Sequence, residues 1–259
     1  MTRFCTIASG SSGNCTYIGI GGQHLLVDAG ISGKRVREGL MHLEVQSPTA
    51  ILVTHEHSDH ISGVGVIARR YGIPVYATPF TWRYFLRHER LGPLRQDQVR
   101  HITPGTPVQI GSATVTAFDI PHDASQPVGY TFEANGSKLA YATDLGKPTE
   151  DVISHIKNAN LLLIESNYDP EMLEKGRYHA DLKARVASPR GHLSNVAAGQ
   201  LIVEVAWEGL QHVVLGHLSE ENNRPMLAYD TVGRIMDAKG VKAQLSVAER
   251  YYLGEIIEI

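Results

Sequence analysis

The chain has 259 residues, 42% hydrophobic and 20% charged, with a formal net charge of -3. This length suits one large domain or two small ones, and a single domain over 1–259 is expected; the charge balance carries no global signature of a nucleic-acid binder. No apolar run approaches the ~20 residues of a membrane span, no secretory leader precedes the first strand-like run, and Cys5 and Cys15 are too few for a disulfide framework. A cytoplasmic protein with reduced thiols and no membrane partner is the expectation.

Residues 4–8, 16–20 and 24–28 read as short strands separated by turn residues. The first connection is Ser9-Gly10-Ser11-Ser12-Gly13-Asn14. Such a loop can bring backbone N–H groups, the Ser11 and Ser12 hydroxyls and Asn14 to an anion. Equally, Gly and Ser dominate plain turns. Leu25-Leu26-Val27 ends in Asp28, in isolation a turn or cap residue, and Ser32 reads as the N-cap of a helix to about residue 43. Residues 50–53 read as a buried strand, and a helix is expected over 61–71, closed by Gly72. Residues 73–76 restart a strand, and Thr78-Pro79 open a helix to about residue 90. This rhythm predicts parallel strands with crossover helices.

From 104 to 141 the pattern changes to alternation, with a hairpin signal at Asn135-Gly136, so antiparallel sheet is expected there. Thr149 caps a helix to about residue 157, and 161–164 is a buried strand ending in Glu165. Ser194 or Asn195 caps an apolar helix over 196–208, whose N-terminus offers free N–H groups to an anion. His192 beside it is either a phosphate contact or a loop histidine. Residues 212–216 form another buried strand ending in His217, a helix follows over 225–238, and 243–247 reads as a strand.

The densest chemistry is Thr54-His55-Glu56-His57-Ser58-Asp59-His60, with three histidines and two carboxylates within 55–60. In extended backbone His55 and His57 share a face, and Asp59 and His60 follow as the chain turns toward a helix. Four ligands thus converge at a strand end. Imidazole nitrogen with carboxylate oxygen suits zinc, and also manganese or iron.

His55-x-His57-x-Asp59-His60 resembles the signature of the metallo-β-lactamase fold superfamily. The resemblance implies an α/β fold, a four-layer αββα sandwich of mixed sheets with outer helices. It implies that Asp28 supports the metal loop by orienting ligands rather than binding metal. It also supplies the remaining ligands. His122, after Ile120-Pro121, and Asp144, after Ala142-Thr143, are alone a solvated histidine and a cap, but they match the third histidine and the bridging carboxylate. His217 matches the last ligand. One metal would take His55, His57 and His122, the other Asp59, His60 and His217, with Asp144 shared. Two such metals would bridge a water, lower its pKa and yield a hydroxide that attacks phosphorus or a carbonyl carbon.

The Ser9–Asn14 loop, the 54–60 stretch, Gly191-His192-Leu193-Ser194-Asn195 and Gly216-His217-Leu218-Ser219 together resemble the bacterial YycJ/WalJ subfamily. That group is associated with 5′-to-3′ DNA exonuclease activity and DNA repair. The resemblance implies a catalytic set of Asp59, His192 and Glu165, a substrate phosphate near Ser11, Ser12, Asn14, His192 and Ser194, and DNA rather than RNA as substrate. It leaves a homodimer open. Two basic clusters are either backbone-binding patches or solvated helix faces: Arg83, Arg87, Arg90, Arg95 and Arg100, and Lys175, Arg177, Lys183, Arg185 and Arg190. Two alternatives use other chemistry: a thioester or lactone hydrolase with the same metals, and a non-catalytic metal-bearing nucleic-acid-binding protein.

Overall fold

A computed structural model describes residues 2–259. In chain order the elements are β1 (Arg3–Ala8), β2 (Cys15–Ile20), β3 (Gln23–Val27), α1 (Gly33–His42), β4 (Ala50–Leu52), α2 (Ser58–Ile61), α3 (Val64–Tyr71), β5 (Val75–Ala77), α4 (Pro79–His88) and β6 (Val99–His101). Then come β7 (Val108–Ile110), β8 (Ala113–Asp119), β9 (Val128–Ala134), β10 (Ser137–Ala142), α5 (Glu150–Ile156), β11 (Leu161–Glu165), α6 (Pro170–Lys175), α7 (Ala180–Val186), α8 (Asn195–Val205), β12 (His212–Gly216), α9 (Pro225–Ala238), β13 (Gln244–Val247) and β14 (Ile257–Glu258).

The strands form two seven-stranded mixed sheets. One runs β14-β1-β2-β3-β4-β5-β6, the other β13-β12-β11-β10-β9-β8-β7. In the first, β3 to β6 are parallel. In the second, β10 to β13 are parallel and β7 to β10 antiparallel. The two-residue side-chain period assigns the faces. Leu25, Val27, Leu161 and Leu163 enter the core between the sheets, with Tyr130, Phe132 and Tyr141. Leu26 and Ile51 pack outward under α1, α3 and α4, beside Val36, Leu40, Ile67 and Trp82. Leu162 and Ile164 pack outward under α5, α8 and α9, beside Val152, Leu201 and Val232. The result is the expected αββα layering.

Two expectations are corrected. The helix over 61–71 is two helices, α2 and α3, and α2 starts three residues earlier, at Ser58. The break falls at Gly63, whose N–H donates to the Ala29 carbonyl at 2.7 Å. A Cβ there would lie 2.3 Å from the Ile31 carbonyl, so two backbones meet where a continuous helix cannot pass. The helix over 196–208 ends at Val205. The basic stretch after 175 contains α7, which carries no buried residue and hence no apolar period to read.

Every parallel strand of the inner layers ends on one edge, and the chemistry follows those ends: Asp28 after β3, 54–60 after β4, Asp144 after β10, Glu165 in β11 and His217 after β12. Tyr130 links the core to this edge, since its hydroxyl donates to the Val53 carbonyl at 2.6 Å, one residue before the metal loop. Tyr130→Phe leaves that buried carbonyl unpaired. It should cost about 1–3 kcal/mol, read as a lower urea midpoint with an unchanged slope.

Candidate metal centre

Three loops are sewn together beneath the site. Asn14 N–H donates to the Asp59 carbonyl at 2.7 Å, Gly30 N–H to the Asn14 carbonyl at 2.7 Å, and Ala29 N–H to the His60 carbonyl at 2.9 Å. A Cβ on Gly30 would sit 1.6 Å from the Asp59 carbonyl oxygen, so only glycine allows the approach. Asp28, Asp144 and His217 all adopt left-handed backbone, at φ 58°, 57° and 54°. Asp and His tolerate that region better than most residues, and the reversal turns each side chain off its strand into one volume.

There the predicted ligands meet. His55, His57 and His122 offer ligand atoms within 4.8 Å of one another, as do Asp59, His60 and His217, and His55, His60 and Asp144. His57 caps α2 rather than continuing a strand, so loop curvature and not strand alternation brings it to His55. His60 Nε2 lies 3.3 Å from Asp144 Oδ2 and 3.5 Å from Asp59 Oδ2, and His217 Nε2 lies 3.5 Å from Asp59 Oδ2 and from Asp144 Oδ1. Two ligands at ~2.0 Å from a tetrahedral cation are about 3.3 Å apart. Asp144 Oδ2 and His217 Nε2 are buried and make no hydrogen bond among the described residues. Buried polar atoms without partners are rare, and a cation satisfies both. The residues present therefore fit divalent metal.

Partners behind the ligands fix their orientation. Asp28, fully buried, accepts from Thr54 N–H and Oγ1, each at 2.8 Å, and lies 2.7 Å from His60 Nδ1. His122 Nδ1 faces the Gly191 carbonyl at 3.2 Å. Glu165, also fully buried, has Oε1 2.8 Å from both His192 Nδ1 and His217 Nδ1, while Oε2 accepts from Leu145 N–H at 2.8 Å and Leu193 N–H at 3.0 Å. In the metal-free protein these carboxylates and imidazoles set one another's charge. Burial would lower the His217 pKa, but Asp144, Asp59 and Glu165 hold it up to about 10. Burial opposes His60 likewise, and Asp144, Asp28 and Asp59 keep it well above the imidazole range. Burial would raise Glu165, yet His192 and His217 bring it down to about 2. Asp59 and Asp144 are held well below the usual carboxylate range against the same burial, Asp59 by His60 and His217, Asp144 by His217 and His60.

The cluster floors a cavity of about 180 Å³ lined by Ser11, His57, Asp59, Asp123, Asp144 and His192 and roofed by Leu182, Arg185 and Val186 of α7. Of the residues expected near phosphate, Ser11 and His192 reach this cavity. Three do not. Ser12 is exposed away from it. Asn14 is buried, accepting from Gly10 N–H at 2.8 Å and donating to the Asp59 carbonyl at 3.3 Å. Ser194 caps α8 by accepting from Ala197 N–H. Sequence reasoning passed over Thr54, within the motif itself, and Asp123, beside His122. It also missed Asn167, which donates to the His217 carbonyl at 2.7 Å with no local signal.

Metal ligation requires neutral imidazole, so loading must expel the protons that His60 and His217 hold. Apparent metal affinity should rise with pH toward the His217 value of about 10. Calorimetry in buffers of different ionisation enthalpy should register proton release. In the metal-free protein the raised His217 value stabilises fully below the ordinary imidazole pKa, and that stability fades as pH climbs through about 10.

Comparison with known proteins places this geometry. Residues 23–217 match the family described as the beta-lactamase superfamily domain. The chain is similar to Exodeoxyribonuclease YycJ of Bacillus anthracis, 41% identical over 241 residues, 92% of this chain and 90% of that protein. It is similar to Exodeoxyribonuclease WalJ of Streptococcus pneumoniae, 38% identical over 232 residues, 89% of this chain and 86% of the other. Among solved structures, Zn(2+)-bound PqqB from Methylobacterium extorquens superposes with a TM-score of 0.75 at 19% identity, over 99% of this chain and 100% of that one, which shows a shared fold. The chain belongs to the metallo-β-lactamase superfamily, within its YycJ/WalJ subfamily, and is a metal-dependent hydrolase.

Proposed function

We propose that this chain, as one domain, is a two-metal phosphodiesterase that degrades DNA exonucleolytically from the 5′ end. The observation that carries the reading is the Glu165 carboxylate, shared between His217 among the ligands and His192 on the cavity wall. It ties the metal cluster to a cationic side chain placed for a phosphate. Burial lowers the His192 pKa, and Glu165 and then Asp144 more than offset this, raising it above the ordinary value. The similarity to two proteins named exodeoxyribonuclease supports DNA as substrate.

His55, His57 and His122 would hold one cation and Asp59, His60 and His217 the other, with Asp144 between them. When bound, such a pair supplies an activated water nucleophile and neutralises charge developing at phosphorus. The donor set suits zinc, with manganese and iron as competitors. Asp59, ionised and facing the cavity, orients the attacking water. Protonated His192 holds a non-bridging phosphate oxygen and delivers its proton to the leaving oxygen, while Glu165 fixes the ring. Ser11, in the lining of the same cavity, offers a hydroxyl.

Purified protein loaded with Zn or Mn should release nucleotides from the labelled end of 5′-labelled single-stranded or duplex DNA. Hydrolysis of thioesters or lactones with inert DNA would overturn the reading. His192→Ala should lower turnover by roughly 10²–10⁴-fold with metal content intact; loss of metal would remove its proposed role. Asp144→Ala should lose both metals by elemental analysis.

A further inference from the structure

The sequence carries two basic clusters, and the structure separates them. In the second, Lys175 pairs with Glu171, Lys183 donates to the Glu174 carbonyl at 2.5 Å, Arg185 pairs with Asp123, and Arg190 donates to the His122 carbonyl at 3.0 Å. Those cations are committed inside the fold. In the first, Arg95 pairs with Asp97. Arg83 and Arg87 stand exposed on α4 and Arg90 just beyond it, none with an ion-pair partner among the described residues. Helix α4 contains no acidic residue, and its inward side is the buried Thr81, Trp82 and Phe85. A surface helix ordinarily turns polar residues to water. Here Phe80 and Leu86, 50% and 76% exposed, stand among the arginines, and the Arg83 guanidinium lies 5.1 Å from the centroid of the Phe80 ring.

The helix starts beside the metal cluster. It follows β5, whose parallel neighbour β4 leads into the metal loop. Thr78, its N-cap, donates from Oγ1 to the Gln126 carbonyl at 3.3 Å. Ser125 donates to Glu56 Oε1 from its N–H at 2.7 Å and from Oγ at 2.6 Å. The loop from His122 to Gln126 thus runs unbroken from the cavity wall to the first turn of α4, where Phe80 lies. Arg87 follows on the same face two turns farther, about 10 Å along the helix.

We propose that the outer face of α4 is a track for single-stranded DNA outside the catalytic cavity, with Phe80 stacking on a base and Arg83, Arg87 and Arg90 holding backbone phosphates. This rests on the nuclease reading above and names where the rest of the polymer is held while one phosphate is cut. Cations without internal partners attract phosphates at no loss to the fold. An exposed ring suits a base that has left its stack, since every base has a face to offer, and this favours a single strand over a duplex. Arg83 beside the ring adds its charge to the stack. The net charge of -3 does not oppose the strand, because the local patch is what faces it.

The test is kinetic, on metal-loaded protein, with Phe80→Ala and the triple variant Arg83→Gln, Arg87→Gln, Arg90→Gln beside the unaltered chain. All four side chains are on the surface, so the fold should be untouched. The substrates are a long single-stranded oligonucleotide and bis-p-nitrophenyl phosphate, which reaches the cavity alone. Each variant should raise KM for the oligonucleotide roughly tenfold or more, with its kcat and the turnover of the small phosphodiester unchanged. The slope of log KM against log salt should fall by about 2 in the triple variant, three phosphates at ~0.7 each, and hold in Phe80→Ala. An unchanged oligonucleotide KM and salt slope in the triple variant overturns the track and leaves the nuclease reading standing. Binding to phosphatidylserine vesicles that the triple variant loses, with DNA kinetics unchanged, assigns the face to a membrane and overturns the track as well. An unaltered protein inert on DNA overturns the nuclease reading and the track together.

Discussion

The structure turns on one carboxylate. Glu165 lies at the end of β11, fully buried, and every oxygen lone pair it presents inward is used: two backbone N–H groups on one oxygen, two imidazoles on the other. A buried charge without partners costs several kcal/mol. Here the N–H groups of Leu145 and Leu193 come from the segments that follow Asp144 and His192. The same bonds that solvate the carboxylate therefore lock a proposed bridging ligand and a proposed phosphate contact into register. Asp28 repeats the arrangement on the other sheet, holding His60 through Nδ1 and the metal loop through Thr54.

The two sheets make this possible by ending together. Parallel strands β3 and β4 face parallel strands β10, β11 and β12, and their carboxyl ends deliver side chains to one edge. Ligands distant in sequence, such as Asp59 and His217, come within 3.5 Å there. The apolar layer between the sheets sets that approach, with Tyr130 tying it to the backbone at Val53. Glycines at 30 and 63 let the loops beneath the site touch backbone to backbone.

Much of this was legible because the controlling signals are local. Apolar runs at 161–164 and 212–216 mark strands buried on both faces, and the alternation after 104 marks the antiparallel half. The 54–60 stretch announces a cation by ligand density alone. What stayed hidden depends on distance. The break at Gly63 follows from where residues 29 and 31 pass, the function of Asn167 from where residue 217 lands, and the commitment of Asn14 from its neighbour Asp59. Helix α7 was legible only as a solvated basic face without bounds, since a helix that buries no residue leaves no apolar periodicity. Ser194 resembled an anion ligand because capping a helix and gripping a phosphate draw on the same hydroxyl.

The left-handed turns at Asp28, Asp144 and His217 bear on how this chain can diverge. A side chain in that backbone region carries strain of order 1 kcal/mol, and branching at Cβ makes it worse. The alphabet open to these three corners is therefore short: glycine, asparagine, aspartate, histidine. Within it, aspartate and histidine are the strong cation donors. A descendant that abandoned its metals without losing its shape should carry asparagine or glycine at these corners, a fossil of the backbone after the chemistry has gone.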